Sequence, residues 1–127
     1  MTKLSSESLL KRLQDFALQC LRLVNKLPKT GYNREYGSQL IRSSASPGSN
    51  YIEAIEAGSR RGFIHRLRIC RKESRESIYW LELIQRSNKN LIEITQECPD
   101  LIKEAREFIK IFTSSVLTAE KNQKIDK

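Results

Sequence analysis

Leu9, Leu13, Phe16, Cys20, Leu23 and Leu27 recur at alternating steps of four and three residues. At 3.6 residues per turn that spacing puts all six on one side of a helix, whereas a strand would divide them between two faces. Leu10, Ala17, Leu21 and Val24 widen the apolar side. The pattern predicts a first helix over about residues 5–27, capped by Ser5 or Ser6. Pro28 and Gly31 mark a loop, expected to last until about Gly37.

The same period returns in three further segments, less regularly in the first of them. A second helix is predicted over about 36–57. Its middle, SSASPGSN (residues 43–50), carries Pro47, which removes a backbone hydrogen bond and crowds the preceding turn. A kink or restart is therefore expected there, with Ser46 as the candidate cap. Its many small residues would let a neighbouring helix come close. A third helix is predicted over about 59–86, capped by Ser59, with Phe63, Leu67, Cys70, Ser74, Ser77, Leu81 and Ile84 as its core seam. Asn88 to Asn90 end it. Leu91 to Gln96 could add a helical turn before a fourth helix over about 99–121, started by Pro99. The stripe of this helix is Ile102, Ala105, Ile109, Phe112, Val116 and Ala119, and the tail beyond it, KNQKIDK, is expected to fray. No strand-type alternation and no fixed repeat occur. Four amphipathic segments in 127 residues predict one all-α domain, an up-down-up-down four-helix bundle with helix 2 kinked near Pro47.

Composition excludes several classes of function. The three cysteines, Cys20, Cys70 and Cys98, form no CxxC pair, and His65 is the only histidine, so neither a zinc site nor another metal site is expected. No cofactor motif, nucleophile elbow, phosphate loop or paired-carboxylate signature is present. No apolar run is long enough to span a bilayer, and the N-terminus lacks a signal-type apolar stretch. A cytoplasmic protein with reduced thiols is the expectation. The net charge of +8 suits a polyanionic partner, and equally suits solubility alone.

The third helix carries most of the chemistry. Between Arg60 and Arg75 lie seven basic residues (Arg60, Arg61, Arg66, Arg68, Arg71, Lys72 and Arg75) against one acid, Glu73. At 100° per residue, Arg61, Arg68, Lys72 and Arg75 fall on one line with Tyr79 among them. That line is the candidate nucleic-acid-binding surface. Its other reading is a solvated face. A second flank holds Ile69, Trp80 and Leu83, more apolar surface than one core seam requires, and predicts an oligomer interface. Glu73 and Glu76 border that flank, and Arg42, Asn50, Glu53, Glu73 and Glu76 are expected to form a partly buried polar network. RRGFIH places Arg60 and His65 at R-x-x-x-x-H spacing, which resembles the ribonuclease motif of HEPN domains. On that alternative reading His65 would move protons and Arg60 would hold charge.

Asn50-Tyr51-Ile52-Glu53-Ala54, followed by Phe63, Lys72-Glu73, Arg75-Glu76 and Tyr79-Trp80-Leu81, resembles the small four-helix-bundle proteins encoded within intervening sequences of bacterial 23S ribosomal RNA genes. The chain departs from that pattern at Arg71 and Ser74 and in the Pro47-Gly48 form of helix 2. The resemblance implies a homopentameric, barrel-like assembly and points to no enzymatic activity. It also points to a related group, the accessory proteins of diversity-generating retroelements, whose basic surface engages nucleic acid and a reverse transcriptase. RNA or DNA, a polymerase-type protein and further copies of the chain are thus the expected partners. The alternative is a protein-interaction scaffold with no nucleic-acid role.

Overall fold

A computed structural model of the chain describes residues 5–125. They form four helices: α1 (Ser6–Asn25), α2 (Gly31–Ile55), α3 (Arg60–Ser87) and α4 (Ile92–Ile125). Three of the starts are built by one device. The hydroxyls of Ser5, Thr30 and Ser59 accept from the backbone N–H groups of Ser8, Asn33 and Gly62 at 3.1 Å each, so one otherwise unpaired donor per helix is satisfied.

Three boundaries differ from those expected from the sequence. α2 begins at Gly31 rather than near Tyr36, because Thr30 caps it. Gly37 is helical and buried, and its role is close approach: a Cβ there would lie 2.7 Å from Val24 Cγ1. α4 begins at Ile92, so the turn expected before Pro99 is its own first two turns. Pro99 is exposed within the helix, on the side where water most readily replaces a lost backbone bond. The helix also runs past the expected end near residue 121 to Ile125. Of the tail expected to fray, Asp126 and Lys127 lie outside the described residues. α2 stays helical through Pro47 and does not restart at Ser46, whose backbone carbonyl and hydroxyl accept instead from Asn50 Nδ2 at 3.1 and 3.0 Å.

Each helix packs on the next, and α1 closes on α4; among the described residues α1 and α3 do not pack together, so they sit diagonally. Arg42 meets Glu73, Asn50 meets Arg66 and Asn33 meets Asn88, so α2 and α3 run in opposite directions. Leu13, Phe16, Leu67, Leu81, Phe108 and Phe112 are among the largest buried side chains. α4 presents Phe108 to the core where Ile109 was expected: Phe108 is 1% exposed and meets Phe16 edge-on at 5.4 Å, while Ile109 is half-buried. In α3, Ile64 is buried and Phe63 only half so.

The α2–α3 contact is close and partly polar. Ser43 Oγ lies 2.9 Å from Ser77 Oγ, and Cys70 Sγ donates to the Pro47 carbonyl at 3.3 Å. Ser74 and Ser77 also donate to carbonyls one turn back on their own helix, so the buried hydroxyls are satisfied. At one end of the bundle the buried amides of Asn33 and Asn88 bond each other reciprocally, at 3.0 and 2.8 Å, and donate onward to the carbonyls of Pro28 and Ile84. Further along, Arg42 bridges two acids of α3, donating to Glu73 at 2.9 Å and to Glu76 at 3.0 Å.

These two carboxylates respond oppositely to their surroundings. Burial pushes the Glu73 carboxyl up, and its hydrogen bond with Glu76 adds to that, against the pull of Arg42. Hydrogen bonding to Arg42 holds Glu76 below the usual carboxylate range, against its desolvation. As pH falls, folded Glu73 takes a proton before its unfolded counterpart and favours the fold. Folded Glu76 resists protonation and loses its contribution as pH falls through its depressed value.

Two outcomes follow from this packing. Phe108→Ala is expected to lower the unfolding free energy by about 3–5 kcal/mol, the cost of emptying a buried aromatic site, and Ile109→Ala by much less, measured from urea midpoints at unchanged slope. Glu73→Gln removes the carboxyl that opposes Glu76, so its urea midpoint should fall more steeply than the wild type's between pH 7 and about pH 4, near the ordinary glutamate value.

Candidate nucleic-acid interface on α3

Because α3 packs on α2 and α4 and lies diagonal to α1, one of its sides is left to solvent. Arg61, His65, Arg68, Lys72, Arg75, Tyr79, Glu82 and Arg86 occupy that side, and all eight are exposed. Their spacing of three and four residues draws them into one line along the helix. It carries five cations and a single acid, Glu82.

The four cations expected to bind nucleic acid are not equivalent. Arg68 Nη2 lies 2.6 Å from Glu120 Oε2, tying α3 to α4 and cancelling part of the local charge. Arg61, Lys72 and Arg75 have no ion pair among the described residues. Arg66 lies off the line, donating to Asn50 Oδ1 at 3.1 Å, and Arg71 is half-buried.

Of the five residues expected in one polar network, Arg42, Glu73 and Glu76 come together as described above. Asn50 belongs to a separate cluster with Ser46 and Arg66, and Glu53 is exposed, outside both. The sequence reading did not anticipate the Asn33–Asn88 pair. Asn88 had only helix-ending value in the sequence, and a contact across 55 positions leaves no periodic trace.

Arg60 and His65 are both exposed, but five residues at 100° per residue set them about 140° apart round the helix. Within one chain their side chains start from different faces. No acid or base is held against His65 among the described residues. Among those residues no three His, Cys, Asp or Glu gather where a metal could be held. Burial pushes the thiols of Cys20, Cys70 and Cys98 up to about 12, so all three are protonated and unreactive at neutral pH. No described helix is long and apolar enough to cross a membrane.

The flank expected to join subunits is less available than its sequence suggests. Ile69, Trp80 and Leu83 are half-buried, and Trp80 packs against the core and lies 6.0 Å, centroid to centroid, from Tyr36 on α2. A larger apolar exposure lies elsewhere. Leu18 and Leu21 on α1 and Ile41 and Ile52 on α2 are 38–46% exposed. Leu10, Leu18, Ala45 and Ile52 line part of a groove between those helices. The sequence signal for it was the widened apolar side of α1, which exceeds what a single seam needs.

Comparison with known proteins agrees with this architecture. The profile of the family described as 23S rRNA-intervening sequence protein matches residues 8–114. A crystal structure of a protein of unknown function from the S23 ribosomal protein family of Bacteroides thetaiotaomicron is similar to the chain. It superposes with a TM-score of 0.76 at 29% identity, over 87% of this chain and 96% of that one. No curated protein matches the chain with significance. With four helices in place and the family profile spanning most of the chain, the protein belongs to the 23S rRNA-intervening sequence protein family.

Proposed function

We propose that the protein is a non-enzymatic, homo-oligomeric bundle of the cytoplasm that binds nucleic acid with little sequence preference through the outer line of α3. The observation that carries this reading is the exposed run of Arg61, Lys72 and Arg75, three cations without an ion pair among the described residues, on the side of α3 turned away from the core. Phosphate contacts supply most non-specific affinity, and a line of cations on a rigid helix offers them without reading bases. The net charge of +8 adds long-range attraction.

Self-association multiplies such contacts, because each added subunit repeats the line. The apolar α1–α2 face is the surface we assign to it, in place of the Ile69–Trp80–Leu83 flank. Subunit number five follows from the family resemblance. A polymerase-type protein partner is compatible with the same assembly and is not required for it.

In fluorescence anisotropy with an unstructured RNA, log K should fall linearly with log salt. Lys72→Glu with Arg75→Glu should weaken binding and lower the slope by about 2 per engaged subunit, roughly one per lost phosphate contact. Unchanged affinity would make the line ordinary solvated surface. His65→Ala should leave binding intact, and no RNA cleavage should be found to lose. In light scattering the protein should run well above its 14.7 kDa chain mass, near five times that value. Leu18→Asp with Ile52→Asp should return it to the monomer without loss of helix content, and a wild-type monomer would remove the avidity argument.

A further inference from the structure

The charged line is interrupted by an exposed ring. At Tyr79 it meets a run of four rings that crosses from α3 to α2. Tyr79 lies 5.0 Å from Trp80, Trp80 6.0 Å from Tyr36, and Tyr36 6.3 Å from Tyr32, centroid to centroid. The two middle rings are half-buried and seal the α2–α3 seam. The two outer rings exceed what that seam needs, since Tyr79 is 57% and Tyr32 46% exposed. Tyr79 stands in the line itself, one turn beyond Arg75 and two turns before Arg86. Of the acids nearest the rings on α3, Glu76 is paired with Arg42, while Glu82 remains exposed in the line.

Exposed rings flanked by cations are the two parts of a single-strand site: cations track the backbone and flat rings receive bases. A duplex cannot use the rings, because its bases already stack on one another about 3.4 Å apart along each strand. We infer that the rings of Tyr79 and Tyr32, carried on Trp80 and Tyr36, form a stacking platform that makes the ligand of the α3 line a single-stranded nucleic acid with unpaired bases. Stacking does not depend on the sugar, so single-stranded DNA and RNA are both accepted. This inference rests on the proposed nucleic-acid role of the line and adds the class of strand.

The test compares labelled oligo(dT) and oligo(U) with a dT·dA duplex of equal length, on the full chain at one salt concentration. Binding is read by anisotropy and by quenching of Trp80, the single tryptophan. Both single strands should bind at least about tenfold tighter than the duplex, as expected for one or more stacked bases. Tyr32→Ala with Tyr79→Ala should remove that preference, weakening single strands about tenfold while leaving duplex affinity and oligomeric state unchanged. Tyr32→Phe with Tyr79→Phe, which keeps both rings, should retain it. Equal affinity for single strand and duplex, with both sensitive to Lys72→Glu and Arg75→Glu, would overturn the platform and leave the charged line standing. Binding to neither would overturn both. A change of oligomeric state in the alanine pair would assign the rings to a subunit or protein contact instead.

Discussion

The hydroxyl pair Ser43–Ser77, with its oxygens 2.9 Å apart in the core, sets the approach of α2 to α3 and with it the rotation of α3. Small side chains at Ser43, Ser74 and Ser77 bring the two helices together, and Cys70 meets the Pro47 carbonyl along the same seam. With that side of α3 committed, Glu73 and Glu76 can only face Arg42, and Trp80 can only lie against Tyr36. The line from Arg61 to Arg86 is then left facing water. Turning α3 by one residue, about 100°, would carry cations toward the core, where unpaired charge is prohibitively costly. The basic line is thus a consequence of close packing on the other side of the helix.

The diagonal relation of α1 and α3 gives the bundle two distinct surfaces. One is apolar and runs along α1 and α2 through Leu18 and Ile52; the other is cationic and runs along α3. Subunits joined through the first would leave the second open, so the proposed self-association and polyanion binding would not compete for area. The remaining joint, between α1 and α4, is tied at its rim by Arg12 to Glu104 and by Lys26 to Glu97. Arg12 also lies 5.3 Å from the Phe108 ring centroid, so its charge covers the edge of the core as well as pairing with an acid.

α1, α3 and α4 were legible because each repeats its apolar side over several turns, and so was the side of α3 that carries charge; α2, whose buried side includes Asn33, Gly37, Ser43 and Ser44, is the less regular one. The failures have local physical causes. Gly31 and Gly37 read as loop residues, yet Thr30 caps the helix at the first, and at the second Val24 occupies the space of the missing side chain. Phe108 and Ile109 fit the periodic stripe equally well, and only the position of Phe16 on α1 decides which ring fills the core. Nothing in α3 alone announces that Tyr36 will lie against Trp80. Ion pairs such as Arg68–Glu120 span 52 positions and leave no pattern in the chain, so the four cations of the line looked alike until the fold was in view.

We propose that polyanion contact occurs on the outer side of α3. Photo-crosslinking of the intact protein to an oligonucleotide bearing a photoreactive base, followed by peptide mapping, locates that contact directly. Adducts are expected within peptides spanning residues 60–86, centred on the segment around Lys72 to Tyr79. Adducts concentrated on α1, or spread evenly over all four helices, would contradict that placement.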